Sequence, residues 1–373
     1  MIIREFWLKR LNDAWKKRSV IWLSGVRRSG KTTLCKMLPG AVYMNCDLPS
    51  VKNQLENPEF FYRTLPSSSV IILDEIHRAS DPSLVLKIGS DEFPHLKIIA
   101  TGSSTLEATK KFRDSLTGRK IQLFLPPVMW NECLNEFNIK NLDKRMMHGG
   151  LPELLLADKK EDELYSEWID SYYARDIQEL FNVRNRTGFL KLMHLLFMQS
   201  GGLLEATSLS KDSGLSRPTV SAHIESLSIA HTINLVPPWH GGGFKEIIKR
   251  PKVYGFDTGF VTFIKGWNEI REDDRGLLWE HLVLDMLKVS FSKVWYWRNN
   301  EKDEIDFIVK GTGENVHTIE CKINPEKYNS SAVRKFRKLY PSGKNYCYSP
   351  LILKPYKIST GGIEVVFQNI TED

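Results

Sequence analysis

Between residues 20 and 125 the chain alternates short apolar runs with longer polar or amphipathic stretches. The runs lie at 20–23, 41–46, 69–73, 96–100 and 121–125. Short continuous apolar runs, without a polar residue at every second position, are typical of parallel strands that are buried on both faces. The pattern therefore predicts an α/β region built on a parallel sheet.

Residues 1–19 carry an apolar stripe at the spacing of an α-helix. The members of the stripe are Phe6, Trp7, Leu8, Leu11, Ala14 and Trp15. Basic residues such as Lys9 and Lys16 fall elsewhere on the helix. We expect the helix to pack on the sheet and to keep its basic face in solvent, rather than to contact nucleic acid.

Pro126 and Pro127 end the strand-rich region, since proline neither donates to a sheet ladder nor continues a helix. The following residues, 128–200, have helical periodicity that is interrupted at Gly149 and Gly150. We interpret this stretch as a helical lid or linker.

The stretch 203–240 predicts two short helices, at 204–213 and 217–227, and then a strand at 231–236. Ser216 stands where it can cap the second helix. Two helices with a strand behind them are typical of a winged helix. Because the second helix is poor in long polar side chains, contact with DNA and packing against protein both remain open for it.

These changes of pattern divide the chain into four parts. They are a core at 1–127, a helical lid or linker at 128–200, a winged-helix-like segment at 201–250 and a C-terminal domain at 251–373. Glycines at 241–243 and basic residues up to 252 form a joint between the last two parts. Its lysines and arginine either meet phosphates or are simply solvated.

Composition narrows the class of protein. The chain has 373 residues, 42% of them hydrophobic and 26% charged, as expected of a soluble protein with two or three domains. No apolar run reaches the roughly 18 residues of a membrane span, and the first residues do not resemble a secretory signal. The five cysteines are scattered without a C-x-x-C pair, which favours reduced thiols over disulfides or zinc ligands. We expect a cytoplasmic protein.

The charge balance is mildly basic. Lys and Arg total 52 against 45 for Asp and Glu, a formal net charge of +7. Such an excess is compatible with a nucleic-acid partner but does not require one.

The first apolar run leads directly into a glycine-rich phosphate-binding motif. The motif has the pattern G-x-x-x-x-G-K-[ST] between a predicted strand and a predicted helix, which is where a P-loop must lie. Its glycines allow backbone amides to approach phosphate, and the start of the helix favours an anion. Lys31 is expected to reach the β- and γ-phosphates, and the Thr32 hydroxyl to bind Mg²⁺. The predicted nucleotide-binding residues are Gly25, Val26, Arg27, Arg28, Ser29, Gly30, Lys31, Thr32 and Thr33.

The run at 69–73 ends in two carboxylates, Asp74 and Glu75. A parallel strand that ends beside the P-loop would bring both to the nucleotide. We expect Asp74 to hold Mg²⁺ and Glu75 to act as the general base toward the attacking water.

Two further positions are candidates for sensing or stabilising the terminal phosphate. Ser103 or Ser104 follows the run at 96–100. In ATPases that insert this strand between the P-loop strand and the strand ending in Asp-Glu, a polar residue at this place senses the γ-phosphate. Arg119 is the candidate for neutralising transition-state charge, in cis or from a neighbouring subunit, with Arg113 as the substitute.

The C-terminal domain has its own set of acidic residues. An apolar helix carries Glu280, an aromatic strand follows at 294–298, and Asp306 and Glu320 lie on the next two predicted strands. Strand alternation places Glu320 and Lys322 on one face. Two carboxylates can bind Mg²⁺ beside a lysine that activates water against a phosphodiester, and Glu280 can add a third acid.

In the order of these motifs, the sequence resembles a bacterial and archaeal family of AAA+-related ATPases, close to the STAND-type branch. The C-terminal part of that family is a domain of unknown function. The resemblance covers nearly the whole chain. The phrases that carry it are GVRRSGKTT, VIILDEIHR, IIATGSS, SLTGR, GGLPE, YYARDI, LSRPTVSAHIESL, LVPPW, RGLLWEHLV, WYWRNNEKDEIDFIV and HTIECK.

The resemblance implies a RecA-like/AAA+ P-loop ATPase core, a winged-helix middle and a C-terminal α/β fold similar to restriction endonucleases of the PD-(D/E)XK type. It also implies ATP rather than GTP as the nucleotide, and relatives that usually form rings. The nuclease-like positions here are Glu280, Asp306, Glu320 and Lys322. The chain departs from the family at Lys302, where a glycine is common.

The leading hypothesis is a Mg²⁺-dependent ATPase that binds DNA, mostly through the backbone, and uses hydrolysis to move along, remodel or process it. One alternative is a nucleotide-controlled signalling or defence switch whose C-terminal domain is an inactive binding module. A second alternative is an ATP-gated nuclease.

Overall fold

The N-terminal part of the chain is a five-stranded parallel sheet. The computed structural model describes residues 2–66, 69–102, 110–178, 181, 183–240 and 250–370, without the side chains of residues 110 and 113. The strands are β1 (Val20–Ser24), β2 (Val42–Asn45), β3 (Val70–Asp74), β4 (Lys97–Ala100) and β5 (Lys120–Phe124). Their order is β2-β3-β4-β1-β5, so the predicted parallel α/β core is confirmed. Strand β4 lies between β1 and β3, as the sensor interpretation requires.

Helices cover both faces of this sheet. They are α1 (Glu5–Trp15), α2 (Lys31–Lys36), α3 (Pro49–Leu55), α4 (Pro58–Arg63), α5 (Pro82–Asp91) and α6 (Lys110–Leu116). The first two share a core with Ile21 and Ile99, while α3 to α6 pack around Trp22 and Ile98 on the other face. Burial on both faces explains why the strands are continuously apolar.

Helix α1 packs on the sheet as its apolar stripe predicts. Trp7, Leu11 and Ala14 are buried in the same core as β1. Just before the helix, Arg4 is buried and makes a two-pronged ion pair with Glu132, at 2.7 and 2.8 Å. The chain therefore begins with a segment that is tied to the helices that follow the sheet.

The region after Pro127 is helical, as predicted. Its helices are α7 (Trp130–Asn135), α8 (Leu142–His148), α9 (Pro152–Leu156), α10 (Asp162–Tyr172) and α11 (Arg186–Met198), with a π-helical turn at Tyr173–Gln178. A Cβ at Gly149, whose φ is +80°, would lie 1.8 Å from Asp257 Oδ1. The glycine pair that interrupts the helical pattern thus permits a close approach of two chain segments.

Two short helices and a two-stranded antiparallel sheet come next. They are α12 (Ala206–Ser213), α13 (Arg217–Ile229), β6 (Ile233–Val236) and β7 (Lys252–Gly255). Ser216 accepts a hydrogen bond from Thr219 N at 3.3 Å, so it caps α13 as predicted.

The predicted boundary at residue 251 falls between two strands that pair with each other. Strand β7 pairs with β6, and the next helix, α14 (Thr258–Ile264), packs against α8, α11 and α10. One hydrophobic core also runs from the helices after Pro127 through α13 to the C-terminal part. The local pattern at 251 could not show this, because it depends on a strand pairing across 241–249.

The C-terminal part is a helix followed by a six-stranded mixed sheet. Helix α15 (Glu272–Ser290) precedes β8 (Val294–Arg298), β9 (Glu304–Lys310), β10 (Val316–Cys321), β11 (Asn345–Tyr348), β12 (Tyr356–Thr360) and β13 (Ile363–Gln368), with α16 (Ser331–Leu339) between β10 and β11. The order is β12-β13-β11-β10-β9-β8. Helix α15 shares a core with Phe307 and Ile319 on one face, and α16 packs on Ile305 and Ile308 on the other.

Two further expectations concern cysteines and membranes. All five cysteines are buried and none is in a disulfide. Within the described ranges, no helix is both long and apolar enough to cross a bilayer.

Replacing Arg4 by Met should destabilise the protein strongly. The change leaves the fully buried Glu132 carboxylate without its partner, which costs about 3 kcal/mol of unfolding free energy. Urea unfolding followed by circular dichroism measures the loss. Lys16→Met removes an exposed ion pair and should cost less than about 0.5 kcal/mol. Equal effects of the two changes would contradict this account of the buried pair.

Candidate active site

The loop between β1 and α2 has the geometry of a phosphate cradle. A Cβ at Gly25 would lie 2.4 Å from the Leu125 carbonyl oxygen, so β5 leaves room for glycine alone. Gly30 has φ +94°, in the left-handed region that favours glycine. Both glycines of the motif are thus required by the backbone path itself.

The Lys31 ammonium lies over this loop. Its Nζ donates to the carbonyl oxygens of Gly25, at 2.8 Å, and Val26, at 2.9 Å. Burial lowers the pKa of Lys31, while the nearby carboxylates of Glu75, Asp176 and Asp74 oppose that change. The lysine is therefore held at the mouth of the loop by weak neutral acceptors that an anion can replace.

Asp74, at the end of β3, accepts hydrogen bonds from three hydroxyl groups. Its Oδ2 accepts from Thr32 Oγ1 at 2.9 Å and from Tyr43 OH, and its Oδ1 accepts from Thr101 Oγ1. The carboxylate is nearly buried, and hydrogen bonds of this kind keep a buried carboxylate stable. The predicted pair of Mg²⁺ ligands, Thr32 and Asp74, is thus in direct contact.

Thr101 was not among the predicted site residues. The sequence points to Ser103 or Ser104, which lie outside the described residues. Thr101 is fully buried, and its hydroxyl also accepts a hydrogen bond from Glu75 N at 3.1 Å. Its position directly after the apolar residues of β4, level with Asp74 at the end of β3, is the signal that could have identified it.

Glu75 lies in a left-handed backbone conformation, with φ +57°. Its carboxylate is 3.2 Å from His77 Nδ1. Burial alone would raise the pKa of Glu75, but the hydrogen bond with His77 and the charges of Lys31 and Arg27 outweigh burial and lower it. Glu75 is therefore ionised near neutral pH, which is the form that a general base needs.

Helices from the region after Pro127 lie over the loop and carry acidic side chains. Arg27 Nη1 is 3.2 Å from Asp176 Oδ2, and Arg28 contacts Glu153 at 3.3 Å and Glu167 at 2.6 Å. A cavity of about 990 Å³ lies between these helices and the loop. Periodicity predicted the helices, but it could not predict which side chains would meet the loop.

The N-terminal segment also supports the loop. Arg4 Nη1 donates to the carbonyl oxygen of Ser29 at 3.0 Å while the same guanidinium holds Glu132. A lone arginine before an amphipathic helix gives no local sign of this role.

Arg119 and the loop lie at opposite ends of the strands of the sheet. Arg119 precedes β5, whose first residue pairs with Val20 at the start of β1, whereas the loop follows the end of β1. Its Nε donates to Asp91 at 2.6 Å. This position does not favour a role of Arg119 in cis, and its role in neutralising transition-state charge stays a prediction. The side chain of the substitute, Arg113, lies outside the described part of the chain.

The structure brings Asp306 and Glu320 of the C-terminal part together with Lys322. Lys322 Nζ is 2.8 Å from Glu320 and 3.8 Å from Asp306. Burial and the charge of Asp306 raise the pKa of Glu320. Asp306 Oδ2 accepts from Cys321 N at 2.7 Å.

Strand β7 contributes two more side chains to this cluster. Tyr254 OH donates to Glu280 at 3.0 Å, and Lys252, 4% exposed, is 2.5 Å from Glu304. Among the described residues no group of three or more His, Cys, Asp or Glu side chains could hold a metal ion. Glu280, Asp306 and Glu320 do not form such a group in the described part of the chain, and their role as metal ligands stays a prediction.

Comparison with protein families agrees with the N-terminal geometry. Residues 17–134 match the family model described as an AAA domain. Residues 139–271 and 275–360 match two models described as domains of unknown function, DUF8612 and DUF4143. The N-terminal part therefore matches an AAA domain, in agreement with its P-loop and parallel sheet. The match at residues 139–271 includes β7 and α14, which also pack against the helices of that region.

The relatives that match most of this chain in sequence are described as uncharacterized proteins. Proteins of Mycobacterium tuberculosis (Rv2008c) and Mycobacterium bovis (Mb2031c) are 24% identical over 319 residues, which cover 82% of this chain and 70% of each relative. A Haemophilus influenzae protein is 22% identical over 346 residues, with 84% and 85% covered.

Solved structures are only distantly similar. A RuvB mutant of Thermotoga maritima matches with TM-score 0.32 and 14% identity, covering 63% of this chain and 90% of that one. A STAND protein with a tetratricopeptide repeat sensor from Pyrococcus horikoshii matches with TM-score 0.26 and 13% identity, covering 75% and 45%. With TM-scores of this size, neither structure adds to the assignment.

Replacing Thr101 by Val should slow ATP hydrolysis about tenfold. The change removes the hydrogen-bond donor to Asp74 and leaves the Glu75 N–H without its acceptor. Loss of such buried hydrogen bonds costs about 1–3 kcal/mol and would displace the two acidic residues of the site, which raises the barrier to hydrolysis. Steady-state phosphate release measures the rate, and ATP affinity should change much less. Thr207→Val, on the exposed side of α12, is the control. Unchanged turnover in Thr101→Val would remove Thr101 from the site.

Proposed function

We propose that the protein is a Mg²⁺-dependent ATPase. The proposal rests on one observation above the others, the 2.9 Å contact of Thr32 with Asp74 beside Lys31 and Glu75. The match to the AAA domain favours ATP as the nucleotide. The glycine loop fits a phosphate, because Gly30, in the left-handed region, lets backbone amides turn toward an anion.

Each residue has a distinct task in this reaction. The backbone from Gly25 to Thr33 would bind the phosphates, and Lys31 would exchange its two carbonyl acceptors for phosphate oxygens. Thr32 and Asp74 would hold Mg²⁺, which neutralises phosphate charge when it is bound. Glu75, kept ionised by its neighbours, would take a proton from the attacking water. Thr101 would keep both carboxylates in place.

We further propose that hydrolysis is coupled to DNA. The net charge of +7 supports this proposal, as does the winged-helix-like order of α12, α13, β6 and β7. Arg217 is exposed at the start of α13, while His223 is buried against Phe189, so few side chains remain to read bases. We therefore expect contacts mainly with the DNA backbone. A homo-oligomeric ring, with Arg119 acting in trans, belongs to the same proposal.

A second candidate is a nucleotide-controlled switch whose C-terminal domain does not cut DNA. Lys252 favours it, because its ammonium group pairs with Glu304 and its charge also acts on Glu280 and Asp306, two of the carboxylates that a nuclease would use for metal ions. Nuclease-like carboxylates paired in this way would hold the C-terminal sheet to strand β7 instead.

Replacing Glu75 by Gln should leave ATP binding intact and slow hydrolysis by about 100-fold or more, because the amide cannot accept the proton of water. Binding is measured by calorimetry and turnover by phosphate release. Lys31→Ala should abolish binding itself, and Lys87→Ala, exposed on α5, should change neither. Near-normal turnover in Glu75→Gln would remove Glu75 from the role of general base.

The decisive test of the DNA proposal is Mg²⁺-dependent ATP hydrolysis with single-stranded, duplex and branched DNA, followed by gel analysis of the DNA. We expect stimulation of hydrolysis while the DNA stays intact. Cleavage that Asp306→Ala removes would establish an ATP-gated nuclease instead. No response to any DNA would favour the switch.

A further inference from the structure

The cations of the phosphate loop are already paired with carboxylates. Arg27 contacts Asp176 at 3.2 Å, and the two side chains are 27% and 31% exposed. Arg28 contacts Glu153 and Glu167. Both arginines occupy positions of the motif that its pattern leaves variable. The helices over the loop thus present negative charge to a site that is built for anions.

Asp176 is the carboxylate best placed to respond to a nucleotide. It lies in the π-helical turn Tyr173–Gln178 and lines the same cavity as Lys31 and Glu75. Burial raises the pKa of Asp176, and the charges of Arg27 and Lys31 oppose that rise. Single π-helical turns are rare and are frequently found at functional sites.

A nucleotide would disturb this pair in two ways. A guanidinium binds phosphate as readily as carboxylate, so the phosphates compete with Asp176 for Arg27. A carboxylate beside a triphosphate is also repelled by it, since like charges at short range are costly in a partly buried site.

We infer that Arg27 and Asp176 sense the nucleotide state: Arg27 exchanges Asp176 for the terminal phosphate, and the turn that carries Asp176 moves away. This inference rests on the proposed ATP site. It assigns Arg27 to the terminal phosphate and makes Asp176 a residue that determines the preference between ATP and ADP.

The turn is well connected to the rest of the molecule. It joins α10 to the segment before α11, and α11 packs against α12, α13 and β7. Trp168 on α10 donates from Nε1 to the carbonyl oxygen of Arg27 at 3.1 Å. Movement of Asp176 would therefore act on the helix pair and on the strand that contacts the C-terminal carboxylates.

The test compares Asp176→Asn with the wild type by calorimetry, using ATP and ADP in EDTA so that no hydrolysis occurs. The amide keeps the shape of the side chain and removes its charge. We expect ATP to bind about tenfold tighter, the lower end of what one neighbouring like charge does to an ionised group. ADP should gain much less, because it lacks the terminal phosphate. Asp170→Asn, whose partner is the exposed Arg186, is the matched control and should change neither affinity.

A second measurement follows the turn itself. Hydrogen exchange of residues 173–178 should rise when ATP binds the wild type, and should already be high in nucleotide-free Asp176→Asn. Unchanged ATP affinity in a folded variant, or an equal gain for ADP and ATP, would overturn the inference. If Asp176→Asn does not fold, Arg27→Met replaces it. That variant should lose the preference for ATP over ADP, and a retained preference would also overturn the inference.

A different set of results would contradict the proposed ATP site, on which this inference rests. Wild-type protein that binds no ATP even with Mg²⁺ present, or binding that Lys31→Ala leaves intact, would contradict the ATP site itself.

Discussion

The Asp74 carboxylate is the point on which the N-terminal region depends. It accepts hydrogen bonds from hydroxyls of α2, β2 and the residue after β4, so three neighbouring elements are bound to the end of β3. A buried carboxylate needs all such partners, because an unpaired charge away from water is very costly. The same bonds fix Thr101, and through it the backbone of Glu75. The acidic residues are therefore positioned before any ligand arrives, which is how a preorganised site works.

Much of this region could be predicted from local sequence. Buried parallel strands are short apolar runs, and a polar residue at the end of each run marks the edge where a site forms. The P-loop, Asp74, Glu75 and the apolar stripe of α1 all follow from patterns within a few residues of one another. The two helices and the strand around Ser216 could likewise be predicted from local patterns.

The remaining features depend on partners that are far apart in the chain. Arg4 with Glu132, Arg27 with Asp176 and Lys252 with Glu304 join segments that no periodicity relates. The same is true of β7, whose place is set by pairing with β6 rather than by its own residues. Thr101 differs from these residues, because the sequence itself shows its position at the end of a strand. The pattern nevertheless points to Ser103 or Ser104 as the polar residue of the site. Arg119 shows the converse, since its residue type suggests a role in cis that its position before β5, away from the loop, does not favour.

Strand β7 also bears on how such a chain can evolve. It completes a small sheet with β6, while Lys252 and Tyr254, two residues apart on one face, meet carboxylates of the C-terminal part. Exchange of the C-terminal sheet between relatives by recombination near residue 271 would separate those carboxylates from the cation and hydroxyl that match them. Successful exchange must therefore carry β7 along or preserve its two side chains. The unit of inheritance in this protein is then larger than the C-terminal sheet alone.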